Sequence, residues 1–261
     1  MAYGTVIYDQ WYSVPEMDTK FRLELQKLDF NGTVRRVGLR DGNMDHNYQT
    51  LNLREPFKNP LLKADLNMFF SMRSSLDEAI LEDVFNSPPR TFRIVKYMDD
   101  GLDWIGYVDS HQIEYPRSPG PILGTLRARD LDELKGMDYG LQDGRGRIIK
   151  VLAEILGLLE YDLPIRTYTR WKEGDMLDEE DFLHERYIDR FALRIYGRSS
   201  GEPDESIPAL EALEMVLKSF KLFVIQSDGY WNLFQLSALE NANEILEFEY
   251  DAEGEPEYLE T

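Results

Sequence analysis

TFRIVKYMDDGLDWIGYV, Thr91 to Val108, is the stretch on which the fold turns. Apolar and polar residues alternate on both sides of Asp100-Gly101, the period of two expected of half-buried strands. Asp-Gly tolerates the positive φ that a tight two-residue turn requires, so the stretch predicts a β-hairpin, Thr91–Tyr97 with Leu102–Val108. The same signal recurs elsewhere. Asn31-Gly32 stands between Phe21–Phe30 and Thr33–Leu39, with a phase slip that predicts a bulge near Lys27. Asp228-Gly229 separates Leu222–Gln226 from Tyr230–Leu236, and Glu253-Gly254 follows Leu246, Phe248 and Tyr250. Repeated hairpins argue for antiparallel sheet.

Outward from these hairpins, Tyr3–Val14, Leu61–Met72 (one strand or a pair) and Ile122–Ala128 read as further strands. Ser74–Phe85 carries Leu76, Ile80, Leu81 and Val84 at helical spacing and stops at Pro88-Pro89. Arg54–Pro60 reads as an ordered loop. Beyond Gly140 the texture changes. Ile148, Ile149, Leu152, Ile155, Leu156 and Leu159 mark an amphipathic helix. Phe182–Ile195 is expected to be a second, and Arg198–Ser206 a polar loop. A third helix is expected to be capped by Ser206, with Pro208 in its first turn and Leu210, Leu213, Leu217 and Phe220 on one stripe. The expected class is α+β and β-rich, with residues 1–139 forming a β domain and 140–261 an α+β domain of helices and hairpins.

Composition narrows the function. The 261 residues include 29 Lys and Arg against 49 Asp and Glu, a net charge of −20, and no cysteine. There is therefore no disulfide framework and no thiolate metal site. Phosphate backbones repel such a surface, and the basic residues form no patch, which argues against general nucleic-acid binding. The acidity gathers at Glu173–Asp189 and at Glu240–Glu260, the latter with nine carboxylates and no Lys or Arg. A solvated face explains both more simply than a dock for a basic partner or adaptation to salt. No apolar run approaches the length of a membrane span and Met1–Val14 does not have the form of a secretory signal, so the expected place of synthesis is the cytoplasm.

No catalytic constellation emerges, and the chain is expected not to be an enzyme and to need no cofactor or metal. His46, His111 and His184 stand apart without metal-ligand spacing. Ser199-Ser200-Gly201 is no nucleophile elbow. Gly144-Arg145-Gly146 precedes a helix but lacks the other glycine and the lysine of a phosphate loop, so it reads as a link with a helix start. Asp178-Glu179-Glu180-Asp181 lacks the glycine of a calcium loop, and a helix N-terminus explains it better. Trp104, Tyr107, Tyr230 and Trp231 fall on strands next to turns, where aromatics fill cores or subunit interfaces; these are the candidate interface residues.

The order of these segments resembles the hub proteins of phage and prophage tail baseplates. The pattern strand, Asp-Gly, aliphatic, x, Trp, x, Gly, Tyr, Val is met by Phe92–Tyr97, Asp100-Gly101 and Leu102–Val108. Before it come Leu25–Gly32, Leu53-Arg54-Glu55-Pro56 and Leu61–Met72. After it come Ile113–Pro116, Leu123–Lys135 and Ile148–Leu159. Leu210–Phe220, Phe223-Val224-Ile225 and Tyr230-Trp231-Asn232-Leu233 are similar to the family's later helix and hairpin. Where the family has Asp-Gly-Leu, this chain has Asp130-Leu131-Asp132. The resemblance implies a tail-tube-like split β-barrel followed by an α+β domain. It implies subunits that close into a ring, commonly a trimer, joining the tail tube to the spike or tip. The partners so implied are copies of this chain and other tail proteins, within a virion made in the host cytoplasm, with phage DNA only passing through the lumen. It also implies a minimal hub without appended distal domains. An acidic lumen would let DNA pass without sticking. The alternative from another class is a receptor- or carbohydrate-binding tail protein, with aromatics stacking on sugar and carboxylates holding calcium.

Overall fold

The computed structural model describes residues 2–12, 19–36, 44–49, 60–72, 75–110, 122–140, 144–169, 181–193, 207–235 and 245–256. The expected loops at 54–60 (all but Pro60) and 198–206, and the segment around His111, lie outside them. The chain packs as two compact units, residues 1–49 with 63–130, and residues 50–62 with 131–261. The sequence alone suggests a single cut at 139/140. Strands and helices occur in both units, an α+β composition rich in strand.

The first unit is an eight-stranded sheet ordered β3-β1-β2-β6-β7-β8-β5-β4. The strands are β1 (Tyr3–Tyr12), β2 (Lys20–Leu28), β3 (Arg35–Arg36), β4 (Met44–Tyr48), β5 (Ala64–Met72), β6 (Phe92–Met98), β7 (Gly101–Val108) and β8 (Ile122–Arg129). All neighbours run antiparallel except β1 and β3. Leu23, Leu25, Ile94, Trp104, Leu126, Ala128, Leu66 and Met68 form the core on one face. Helix α1 (Ser75–Asn86) closes over it with Ile80, Leu81 and Val84.

The sheet is strongly curled. In a flat sheet β4 and β6, four places apart, would lie about 19 Å from each other. Yet His46 Nδ1 on β4 is 3.2 Å from Lys96 Nζ on β6, and the His46 ring lies 5.2 Å from that of Trp104 on β7. Right-handed twist accumulated over many strands brings the edge strand back over the core face.

Three strand-level expectations change. The β6–β7 hairpin forms, but its two turn residues are Asp99 and Asp100, with φ of 50° and 66°, and Gly101 pairs with Met98. Lys20 holds this turn: its N–H donates to Asp99 Oδ1 at 2.8 Å and its Nζ to Asp100 Oδ1. The hairpin expected at Asn31-Gly32 does not form, because β1 and β6 already occupy both edges of β2. The chain instead crosses to the far side of β1, where β3 pairs in parallel with Ile7 and Tyr8. The expected bulge at Lys27 falls on the partner strand, between Thr5 and Ile7. β4, too polar to show alternation, was not expected at all.

The second unit holds a four-stranded sheet, β12-β13-β10-β14, and a small ribbon, β11-β9. Its strands are β9 (Arg145–Arg147), β10 (Ile165–Thr169), β11 (Tyr187–Asp189), β12 (Leu222–Ser227), β13 (Tyr230–Gln235) and β14 (Leu246–Tyr250). The β12–β13 hairpin turns on Asp228 and Gly229, φ 54° and 76°, as the sequence predicts. β10 lies between β13, parallel to it, and β14, antiparallel, so this sheet is mixed. Glu253-Gly254 closes only a short turn, with Tyr250 bridging Pro256.

Helices α2 (Ile148–Gly157) and α4 (Ala209–Ser219) bury their apolar stripes in this unit. Pro208 occupies the cap of α4, and Ser206 lies outside the described residues. The helix expected over Phe182–Ile195 is only α3 (Phe182–Glu185). Tyr187–Asp189 then leaves it to pair with β9, which is the segment read as a flexible link. Gly146 lets β9 lie close against α2 and Arg190, since a Cβ there would sit 2.8 Å from Val151 Cγ2 and 3.0 Å from the Arg190 guanidinium.

Candidate assembly surface and buried polar clusters

Trp104 shows no exposed area, Tyr107 1% and Trp231 2%, so these three expected interface residues are buried inside their own units. The Trp104 indole lies across Gly106, where a Cβ would come within 2.1 Å of Cη2. Tyr107, on the opposite face of the sheet, sits beneath Arg90, whose guanidinium carbon is 5.2 Å from the ring centre. Trp231 stacks with Tyr161 at 6.2 Å. Tyr230 is half-buried, its ring 3.9 Å from the Arg166 guanidinium, and Arg166 in turn donates to Glu249 on β14.

The alternation Arg22, Glu24, Gln26 on β2 suggests a solvated face, yet Glu24 and Gln26 are buried. Glu24 Oε2 accepts from Thr5 Oγ1 at 2.8 Å and from Gln26 Nε2 at 2.7 Å, and Arg22 pairs with its other oxygen. Gln26 Oε1 accepts from Arg93 Nε, and the Arg93 guanidinium lies 4.0 Å from the Tyr3 ring centre. Arg22 lies over Tyr8 and Tyr97. Long cationic side chains stacked on tyrosines cover this second face and satisfy the carboxylate beneath them. Burial raises the Tyr97 hydroxyl above its ordinary pKa, with the Glu24 charge adding to it.

On the core face, Lys96 Nζ is 2.6 Å from Asp103 Oδ2 and contacts His46 Nδ1. Burial first, and then the Lys96 charge, depress His46 to about 4, so at neutral pH it is an uncharged imidazole accepting from the ammonium. The arrangement is an ion pair with a hydrogen-bonded base that ties edge strand β4 to β6 and β7.

In the second unit Asp181 is the one residue of its acidic run among the described residues. It caps α3 by accepting from Leu183 N at 3.1 Å. It also accepts from Tyr250 Oη at 2.7 Å, Thr167 Oγ1 at 3.0 Å and Thr169 Oγ1 at 3.4 Å. Burial pushes its carboxyl upward, and these hydrogen bonds, Tyr250 foremost, pull it back. The cap expected from sequence is there, but aimed into the core and tied to β10 and β14. No group of three or more His, Asp or Glu able to hold a metal ion occurs among the described residues, and no helix among them is long and apolar enough to cross a membrane.

The features that face outward are the sheet's edges. Among the described residues, β4 pairs only with β5, and β1 is covered on its outer side only where two-residue β3 meets it. Each edge carries a large exposed apolar side chain: Val34, just before β3, is 49% exposed, and Tyr48, ending β4, 36%. Unfilled strand edges beside apolar side chains are templates for pairing with another chain.

No family model matches the chain, and no curated protein matches it in sequence. Among solved structures it is similar to the tail protein from Neisseria meningitidis MC58, at a TM-score of 0.41 and 11% identity, over 73% of this chain and 45% of that one. It is also similar to the 43 kDa tail protein of prophage MuSo2 from Shewanella oneidensis, at a TM-score of 0.35 and 11% identity, over 74% of this chain and 51% of that one. The chain thus spans about half the length of the proteins it matches.

Proposed function

We propose that this chain is a non-catalytic structural subunit of a phage tail, one that assembles through the edges of its first sheet. The observation that carries the reading is the curled eight-stranded sheet with short strands at both edges and an exposed apolar residue at each. On this reading the curled sheet, whose margins are open among the described residues, corresponds to the split barrel of a tail-tube-like domain. Copies arranged around an axis would pair or cover those margins, and a closed ring removes the aggregation hazard. The tail assignment comes from the order of sequence segments, Phe92–Val108 above all. On that reading the subunit belongs to the baseplate hub, a ring of three joining tube to spike or tip. Its net charge of −20 suits a lumen through which DNA slides.

The carbohydrate-binding alternative needs exposed aromatics beside carboxylates, and burial of Trp104 and Tyr107 within the first unit weighs against a sugar site there. Hydrogen–deuterium exchange read over a concentration series tests the location of the interface. Amides of β4 and of Tyr3–Tyr12 should gain protection as the protein associates, while the β12–β13 hairpin stays unchanged. Protection confined to the second unit would reject edge pairing.

A further inference from the structure

The second unit contains a cleft of about 290 Å³ between the end of α2, the loop that follows it, β10 and β13. Its floor is apolar: Leu156, Leu163, Ile165 and Trp231, all buried. Its rim carries the exposed carboxylates of Asp162 and Glu253. Neither forms an ion pair with any described residue. Of the cations in reach, Lys150 pairs with Glu255 and Arg166 with Glu247 and Glu249, while Arg190 neutralises Glu154, the third carboxylate that lines the cleft, and not Asp162 or Glu253. The rim is also held in place. Glu160 and Asp162 both adopt positive φ, 56° and 52°, in a loop pinned by buried Leu159, Tyr161 and Leu163. Left-handed backbone at a non-glycine residue persists only where its surroundings impose it.

We propose that this cleft anchors a single arginine side chain presented by a neighbouring protein. Size and chemistry select that occupant. The volume falls at the lower limit of small-molecule pockets, about 300 Å³, and so suits one side chain. An apolar floor beneath unneutralised carboxylates fits a side chain with an apolar stem and a cationic head. Arginine fits better than lysine, because its planar guanidinium stacks on an aromatic wall and donates to two carboxylates at once. A buried aromatic facing a partner's arginine is the composition of an interface anchor. The cleft's own chemistry selects this occupant, whether or not copies of the chain assemble edge to edge.

Methyl-labelled full-length protein, titrated with N-acetyl-arginine methylamide and separately with its uncharged isostere N-acetyl-citrulline methylamide, tests it by NMR. The expected result is saturable shifts on the methyls of Leu156, Leu163 and Ile165, with citrulline at least tenfold weaker. Asp162→Asn combined with Glu253→Gln, both at exposed positions, should reduce arginine binding at least tenfold with an unchanged melting temperature, and leave citrulline binding as it was. Equal binding of arginine and citrulline, shifts on methyls elsewhere, or no effect of the double variant would each overturn the proposal. Because the readout is local, a protein that stays monomeric but binds arginine here would keep the anchor and lose only the edge-pairing reading.

Discussion

A methyl group on Gly106 would sit 2.1 Å from Trp104 Cη2 and 2.8 Å from the carbonyl oxygen of Arg129. The indole can move only by abandoning the core, and the carbonyl belongs to β8. Gly106→Ala should therefore destabilise the first unit by about 1–3 kcal/mol, in the range of other overpacked cores, measured as a lowered urea midpoint. The Trp-x-Gly of the sequence pattern has this physical cause: residues two apart share a face, and the large ring needs the space its neighbour leaves. His46 supplies a second test at this scale. Its folded pKa of about 4 lies below the unfolded value of about 6.5. The unfolded chain therefore takes up the proton first as pH falls. The neutral imidazole's stability is fully present above pH 6.5 and lost progressively towards pH 4. Lys96, Asp103 and Asp45 are the charged groups that set this balance. With partial exposure discounted, the loss amounts to about 1–2 kcal/mol. Comparing wild type with His46→Gln by urea unfolding at pH 7 and pH 4.5 isolates it, and equal pH dependence in both proteins would refute the assignment.

At the scale of elements, Asp181 ties α3, β10 and β14 together through four accepted hydrogen bonds. Asp181→Ala leaves buried donors on Tyr250, Thr167 and Leu183 without a partner, at a cost of about 3 kcal/mol. Asp181→Asn, which keeps one acceptor oxygen, should cost less than half as much. Guanidinium unfolding distinguishes the two, and equal losses would contradict the stabilising part given to the retained acceptor oxygen. The Asp228–Gly229 hairpin and helices α1, α2 and α4 were legible in the sequence because local periodicity and turn chemistry determine them. The β6–β7 pairing was legible from periodicity, but its turn falls on Asp99–Asp100, one residue before the expected Asp100-Gly101. β4 was not, because Met44–Tyr48 joins the sheet through backbone pairing and one buried histidine rather than through alternation. β3 was misplaced because strand order, which is non-local, decided where it paired. Burial of Trp104, Tyr107 and Trp231 could not be told from an interface role, since cores and interfaces use the same aromatic residues. The Glu24 network escaped for the opposite reason: alternating charges read as solvated until arginines and tyrosines are seen to cover them.

For the whole molecule, sheet edges and net charge pull in opposite directions. Open edges favour association, whereas a charge of −20 on each copy resists it. Screening tips that balance: the Debye length falls from about 10 Å at 0.1 M salt to about 3 Å at 1 M. Association should therefore strengthen with salt, the reverse of what attraction between opposite charges would give. Light scattering coupled to size exclusion, at low and high salt, measures this directly. Edge pairing predicts a discrete mass at a small multiple of 30.5 kDa, three copies on the hub reading, more fully populated at high salt. A single 30.5 kDa species at every concentration and salt would contradict edge-to-edge assembly.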